Sequence, residues 1–205
     1  MRAALEALAP LRARGHEVIV ADGGSSDATA RLAHGMCDRV VSSARGRASQ
    51  MNAGARVATG DALVFLHADT RLPAQADAAI RSALEEHSWG RFDVKIEGRH
   101  ALLKVVACAM NLRSRLTGIA TGDQAIFVRR DAFRGFPEIA LMEDIAFCRG
   151  MKRRAPPACL RETVITSGRR WESRGVLRTI VLMWRLRLMY FLGARPEDLA
   201  RLYEK

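Results

Sequence analysis

The sequence predicts an α/β protein with a mostly parallel, Rossmann-like sheet flanked by helices and an apolar helical segment near its C-terminal end. Over the first two-thirds of the 205 residues, short strand patterns alternate with helix patterns of about 8 to 14 residues, the crossover length that parallel strands need. The five apolar residues 62–66, between Gly60 and Pro73, have the composition of a buried strand. A continuous apolar run of this length is typical of a strand with parallel neighbours.

The N-terminal part alternates between the two patterns. The first helix has Leu5, Leu8 and Leu11 on one face and ends at Gly15. Helices are predicted over 2–14, 27–34, 48–58 and 74–87, and strands over 17–21, 39–42 and 62–66.

The rhythm changes after residue 90, where longer helices with broad apolar faces appear. Strands are predicted over 91–97, 124–128 and 158–166, and helices over 100–116, 142–153 and 176–192. We find no internal repeat, low-complexity segment or linker, so residues 1–205 are predicted to form one domain.

The net charge of +11 comes mainly from arginine, which supplies 29 of the 33 basic residues. The arginines are dispersed and form no basic stripe with interleaved aromatics, so nucleic acid is not the expected partner. Phosphate-bearing small molecules, an anionic membrane surface or a genome-wide arginine bias explain the charge equally well.

The four cysteines have no metal-ligand spacing, which is typical of reduced thiols in a cytoplasmic protein. The N-terminal residues form an amphipathic helix pattern and not a secretory signal, and no run has the roughly 18 to 20 apolar residues of a membrane span. We expect a cytoplasmic protein.

Asp69 follows the 62–66 strand, at the sheet edge where open α/β folds bind ligands. One carboxylate there suits a divalent cation held against a diphosphate. The alternative is that Asp69 only starts a turn before Pro73.

Two strand-to-helix junctions carry further candidates. The loop 22–27 contains Asp22, Gly23, Ser25 and Asp27; its glycines allow close backbone approach and the next helix start favours anions, although a capped loop explains the same residues. Arg45 and Arg47 flank a glycine at the second junction and could clamp a diphosphate, or could be solvated surface residues.

Glu143 and Asp144 open a predicted helix. Acids in a first helical turn favour the helix dipole, and a carboxylate there could also be a general base. Upstream, Gly122, Asp123 and Gln124 form a candidate acceptor-binding turn.

Residues 167–171 form a polar loop near the C-terminal helix. Arg169 and Arg170 could bind phosphate from the far side of a cleft, whereas Trp171 could simply pack against the last helix. The five histidines show no ligand spacing.

In this order the motifs resemble those of glycosyltransferase family 2, whose members have the GT-A fold. The matching segments are 22–27, 46–54, 67–69 at the position of the D-x-D metal motif, and 143–144 at the position of the E-D pair. The segments 118–124 and 167–171 resemble the small bacterial subgroup associated with radical-SAM and selenium biology. The resemblance covers nearly the whole chain.

The resemblance implies a role for each matched residue. Asp22 with its loop residues would contact the nucleotide, and Asp69 would bind Mn²⁺ or Mg²⁺ that bridges the donor diphosphate. Asp144, beside Glu143, would deprotonate the acceptor hydroxyl and invert the sugar carbon. The diphosphate region would be lined by Arg45, Arg47, Asn52 and His67, and the acceptor side by Gly122, Asp123, Gln124, Arg169, Arg170 and Trp171.

The chain departs from the family pattern in two ways. His67 stands where the first acid of D-x-D is expected, which leaves Asp69 as the metal carboxylate. The chain also begins at what resembles the family's first helix, without the preceding strand and Pro-x-x-Asn-Glu-like turn. We therefore expect a truncated form in which the 17–21 strand lacks a neighbour and activity is weakened.

The sequence predicts a metal-dependent hexosyltransferase that uses a nucleotide-diphosphate sugar. A sugar-nucleotidyltransferase and a non-catalytic GT-A-like binding or membrane-associated protein remain alternatives. The helix 176–192 could lie on an anionic membrane, with Trp184 and Tyr190 at the interface, or could be a core or homodimer helix.

Overall fold

The computed structural model describes residues 2–25 and 33–204 and forms two sheets flanked by helices. The strands within these two ranges are β1 (Ile19–Asp22), β2 (Arg39–Ser42), β3 (Ala62–Val64), β4 (Thr70–Arg71), β5 (Trp89–Glu97), β6 (Phe127–Arg129) and β7 (Ala158–Ser167). The helices among these residues are α1 (Arg2–Ala13), α2 (Arg47–Val57), α3 (Ala76–Glu86), α4 (Leu102–Thr117), α5 (Glu143–Lys152), α6 (Arg169–Arg174), α7 (Val176–Phe191) and α8 (Pro196–Glu204), with a 3₁₀ turn at Gly122–Gln124.

The structure confirms the α/β class and shows both parallel and antiparallel strand pairing. β1 and β2 form a parallel pair, and the other strands form a five-stranded sheet in the order β3-β6-β5-β7-β4. Only β5 and β7 pair in parallel in this second sheet; the other three pairings are antiparallel. β6 runs antiparallel to both of its neighbours, β3 and β5.

β3 is an edge strand paired antiparallel to β6, and not the buried parallel strand that the sequence suggested. It pairs with β6 on one side, and its Ala62 and Val64 side chains are exposed while Leu63 is buried. The apolar run 62–66 therefore reflects burial of alternate residues and of the segment beyond the strand, where Phe65 stacks edge-on against Phe136.

A cleft of about 1840 Å³ lies between the two sheets. Consecutive residues of both β1 and β3 line it, so the facing edges of the two strands border the same space. Among the described residues β1 pairs only with β2. Helices α1 and α3 supply apolar lining on one side of the cleft, including Leu8, Ile80 and Leu84.

The main core lies where the five-stranded sheet packs against α3 and α4. It includes Ile80, Phe92, Leu103 and Phe127, all buried. A second cluster of aromatic residues, with Trp89, Phe136 and Phe147, packs beneath α5, and a third joins α5 to α7 and α8 through Leu186 and Leu199. These clusters fix the start of α5 relative to the sheet.

Backbone strain is concentrated beside the polar end of the cleft. Among the described residues the non-glycine positions with positive φ are Ala125 at 45° and Met142 at 72°. Ala125 follows the 3₁₀ turn, and Met142 directly precedes Glu143. Such residues cost free energy and cluster at functional sites, so both segments are candidates for chemistry.

Candidate active site

The candidate site lies where strand ends and helix starts meet at one end of the cleft. Asp22 ends β1, Asp69 lies in the turn after β3, Arg47 opens α2 and Glu143 opens α5. Asp22, Arg47 and Asp69 line the cleft directly. The fold thus brings together residues that are up to 121 positions apart.

Arg47 and Glu143 form the central ion pair. Arg47 Nε lies 2.8 Å from Glu143 Oε1, and a second guanidinium nitrogen lies 3.4 Å from Oε2. Glu143 is only 2% exposed, whereas the Arg47 side chain is 42% exposed and reaches the cleft. Burial and the neighbouring Asp144 charge raise the pKa of Glu143 against the attraction of Arg47. Arg47 therefore compensates a buried carboxylate while it faces the cleft.

Backbone amides hold the Asp144 carboxylate in place. The Gly122 N–H donates to Oδ2 at 3.1 Å, and the Ile145 N–H donates to Oδ1 at 2.7 Å. Asp144 is partly buried and is not among the residues that line the cleft. Because each oxygen accepts one amide, lone pairs remain on both for a hydroxyl donor.

His67 and Asp123 form a second pair that lines the cleft. Nδ1 of His67 lies 3.3 Å from Asp123 Oδ1. Burial acts to lower the pKa of His67, but the hydrogen bond and the charges of Asp123 and Asp69 outweigh it, so this pKa is raised. Burial acts to raise the pKa of Asp123, but His67 and the nearby cations outweigh it, so that pKa is lowered. Both shifts favour the charged pair.

The imidazole of His67 also packs against Gly122. A Cβ atom at position 122 would overlap Nε2 and Cε1 of that ring. Gly122 therefore serves two contacts at once, because its N–H holds Asp144 while its bare Cα admits His67. Gly122 therefore lies between the Asp144 carboxylate and the His67 ring.

Asp69 is an exposed carboxylate at the cleft, beside His67 in the 67–70 turn. Within residues 2–25 and 33–204 no group of three or more His, Cys, Asp and Glu side chains could hold a metal ion unaided. Mg²⁺ and Mn²⁺ accept one or two carboxylates and complete their shells with phosphate and water. The residues present therefore fit an ion that is held jointly with a bound diphosphate.

Hydrogen bonds within the 22–25 turn fix the Asp22 side chain. Its carboxylate accepts from the Ser25 hydroxyl at 2.5 Å and from the Ser25 N–H at 3.2 Å. Gly23 lies against the Gln50 side chain, where a Cβ would meet Cδ at 3.1 Å. Asp27, a further predicted nucleotide contact, lies outside the described residues.

Three predicted ligands lie elsewhere, and two of them are structural. Asn52 is buried and bonds both the Phe136 carbonyl, at 2.9 Å, and the Phe136 N–H, at 2.8 Å. Gln124 is fully buried, accepts from the Thr121 N–H and donates to the Ser114 hydroxyl. Their amides are satisfied inside the protein, which corrects the expectation that they face a ligand. Arg45 is exposed and is not among the residues that line the cleft.

The segment 169–171 lines the cleft. Arg170 lies over the Tyr203 ring, with 4.2 Å from Cζ to the ring centroid, and Trp171 packs against the main core. Arg174 donates to the Tyr203 carbonyl at 2.8 Å. The C-terminal helix α8 therefore positions the arginines on this side of the cleft.

Sequence reasoning missed Tyr203, Arg174 and Arg113. Tyr203 and Arg174 lie in no recognisable sequence motif. They line the cleft because α8 packs beside it. On α4, Nε and one terminal nitrogen of Arg113 are buried without a hydrogen-bond partner among the described residues. Burial lowers the pKa of Arg113, although Asp144 attracts its charge. No spacing in the sequence relates Arg113 to Asp144.

Comparison with known proteins identifies the class of this fold. Residues 1–102 match the model of glycosyl transferase family 2. The helices around a curled mixed sheet form the fold of GT-A glycosyltransferases. No curated protein matches the chain at a significant level.

Solved structures of glycosyltransferases share the fold at low identity. Mannosyl-3-phosphoglycerate synthase from Rubrobacter xylanophilus is 20% identical, with a TM-score of 0.59 over 94% of this chain and 71% of that one. Residues 1–349 of S. aureus TarS in complex with UDP-GlcNAc are 20% identical, with a TM-score of 0.55 over 74% of this chain and 49% of that one. The corresponding TarS structure with UDP is 19% identical, also with a TM-score of 0.55. The chain spans about half the length of the TarS chains.

Proposed function

We propose that this protein is an inverting hexosyltransferase that moves a sugar from a nucleotide-diphosphate donor to an acceptor hydroxyl. The observation that carries the proposal is the position of Asp144, whose carboxylate accepts the N–H of Gly122, the residue packed against the ring of the His67–Asp123 pair. Asp22, Arg47 and Asp69 lie at the same end of the cleft. A base, cations and a free carboxylate at one sheet edge are the groups that such a transfer requires.

Asp144 accepts the proton of the acceptor hydroxyl as its oxygen attacks the anomeric carbon. A bond forms between the acceptor oxygen and that carbon, the bond to the diphosphate oxygen breaks, and the nucleoside diphosphate leaves with the bonding electrons. Attack from the face opposite the leaving group inverts the configuration. Glu143 stays paired with Arg47 and keeps that guanidinium directed at the cleft.

A divalent cation, Mn²⁺ or Mg²⁺, would neutralise charge on the departing diphosphate when bound. Asp69 would hold it with phosphate oxygens. Arg169 and Arg170, which line the cleft, contribute positive charge to the same leaving group. Asp22 and Ser25 receive the nucleoside, because they lie at the end of β1 on the cleft wall.

Uridine nucleotides are the first donors to test. The TarS structures of similar fold are complexes with UDP-GlcNAc and UDP. The assignment to the radical-SAM-associated subgroup rests on segments 118–124 and 167–171 and stays a prediction.

A further part of the proposal concerns the facing edges of β1 and β3. One more parallel strand between them would join the two sheets and satisfy the free backbone groups of both edges. The cleft is lined there by apolar side chains from α1, α2 and α3, among them Leu8, Met51 and Ile80. Such a strand would carry apolar residues on both faces.

Titration calorimetry with UDP and GDP, each with and without MnCl₂, tests donor binding. We expect one nucleotide to bind only in the presence of the metal. No metal-dependent heat with either nucleotide would refute the enzyme proposal for this chain.

Product analysis with nucleotide sugars then identifies the reaction. Release of nucleoside diphosphate with an inverted sugar product supports the proposal. Release of pyrophosphate from a sugar phosphate and a nucleoside triphosphate would instead identify a nucleotidyltransferase.

A further inference from the structure

Helix α7 exposes a continuous apolar stripe. Its six large residues recur every three or four positions and fall within about 100° of the helix surface. The stripe consists of Leu177, Val181, Trp184, Leu188, Phe191 and the following Leu192. Trp184 is 72% exposed and Leu192 is 78% exposed. A stripe of this length is much larger than the isolated apolar residues of an ordinary surface.

Helix α4 contacts α7 and exposes a stripe of its own. Its exposed apolar residues are Val105, Leu112 and Leu116, with Cys108 and Ala109 on the same side. The opposite side of α4, with Leu103, Ala107 and Met110, is packed in the main core. Both helices therefore present one apolar side to the protein and another to the outside.

The charge around these stripes has one sign. α4 and α7 together contain six basic residues and no acidic residue. Arg178 and Arg185 flank the α7 stripe on one side and Arg187 flanks it on the other, by the 100° step of a helix. Arg149 of α5 adds a further cation, with Cζ 5.9 Å from the ring centroid of Phe191.

We propose that the α4 and α7 stripes, here called the apolar face, dock onto an anionic lipid bilayer. An exposed apolar stripe between flanking arginines is the pattern by which a helix lies in a membrane interface, with its cations at the lipid phosphates. The complementary charge selects this occupant. A second copy of the chain would bring the same cations against these and oppose symmetric pairing through the face.

Docking would place the cleft next to the membrane. Thr179, Leu182 and Met183 of α7 line the cleft, on the side of the helix opposite the stripe. The cleft would then lie about one helix diameter, roughly 10 Å, from the lipid surface. No helix among residues 2–25 and 33–204 is long and apolar enough to cross a membrane.

Co-sedimentation with vesicles of phosphatidylcholine, with and without 30% phosphatidylglycerol, tests the proposal. We expect the wild-type protein to sediment with the anionic vesicles and to remain in solution with neutral ones. Trp184 emission should shift to the blue, and alkylation of the exposed Cys108 should slow, only with anionic vesicles. Equal recovery in the supernatant with both vesicle types would overturn the proposal.

Two variants separate the apolar and the charge contributions. V181S/W184S/L188S and R178E/R185E should each weaken vesicle binding by about tenfold or more. R2E/R56E makes the same charge change at exposed sites on α1 and α2 and should bind like wild type. An equal loss of vesicle binding in R2E/R56E would show that net charge alone attracts the protein to the vesicles, and it would contradict docking through the apolar face. Sedimentation velocity showing a dimer that V181S/W184S/L188S dissociates would also overturn the proposal. The vesicle assay needs no donor, so its result is independent of the transferase proposal.

Discussion

Arg47 Nε lies 2.8 Å from a Glu143 carboxylate that is almost completely buried. The pair joins the start of α2 to the start of α5 across 96 residues of sequence. Because a lone carboxylate at this depth has no solvent to compensate its charge, Arg47 is as much a requirement of the fold as a candidate ligand.

Arg47→Ala should destabilise the protein by about 2 to 3 kcal/mol at pH 7, since it leaves Glu143 buried and unpaired. The pKa of Glu143 is already raised in the folded state. The free-energy cost of ionising Glu143 in the folded protein is therefore absent below its unfolded pKa and grows as the pH rises from there towards its folded pKa. The deficit measured by urea unfolding should accordingly be larger at pH 7 than at pH 4.5. R47A/E143Q should recover part of the loss, and a pH-independent deficit would contradict this reasoning.

Asp144→Asn should lower the rate of sugar transfer by a factor of about 100 or more and leave nucleotide affinity nearly unchanged. The amide oxygen can still accept one backbone N–H, but the side chain is no longer a base. Steady-state assays and calorimetry on the same preparation separate the two effects. Glu162→Gln, at an exposed position of β7, removes a carboxylate away from the site and should leave both quantities unaltered. A transfer rate close to wild type in Asp144→Asn would remove Asp144 from the mechanism.

Asp69→Asn should abolish the metal-dependent part of nucleotide binding, because Asp69 is the carboxylate proposed to share the ion with the diphosphate. Asp61→Asn is the matched control. Asp61 is exposed and lines the same cleft, at the opposite end of β3. Calorimetry with and without MnCl₂ should show wild-type behaviour for Asp61→Asn. Equal losses in both variants would indicate a general charge effect and not a ligand.

Asn52→Ala should cost about 2 to 3 kcal/mol of stability and leave the nucleotide affinity of the folded protein unchanged. The substitution leaves the Phe136 N–H and carbonyl without their side-chain partner in a buried setting. Denaturant unfolding and calorimetry provide the two measurements. A selective loss of affinity at unaltered stability would restore Asn52 as a ligand.

An added N-terminal strand should stabilise the protein by filling the space between β1 and β3. The short connection from α1 to β1 places the start of α1 at the same end as Asp22, so a parallel strand followed by a turn can lead into α1. A five-residue apolar strand and turn fused ahead of Met1 should raise the melting temperature by several degrees. A control extension with two prolines in the strand cannot pair and should have no effect. Equal stabilisation by both extensions would contradict strand pairing.

Local patterns predicted most of the elements and several site residues. The strand 39–42 is confirmed at its predicted bounds, and α1, α2 and α7 lie within two residues of prediction. Asp22 and Asp69 follow strands, so their position at a sheet edge needed only the order of elements. Helices α6 and α8 were not predicted. The contacts that stabilise them, the packing of Leu199 in the core and the hydrogen bond from Arg174 to Tyr203, form only in the folded chain.

The sequence by itself determined the α/β class, the order of elements and which loops could hold polar groups, because periodicity and turn chemistry are local properties. Only the tertiary structure decided the rest. It set the strands in a mixed sheet and a separate parallel pair, withdrew Asn52 and Gln124 into the core, and brought Tyr203 to the cleft. The physical reason is that hydrogen-bond satisfaction and burial depend on which segments meet. An amide predicts a polar contact, but its neighbours in space decide whether that contact is a ligand or the backbone of Phe136.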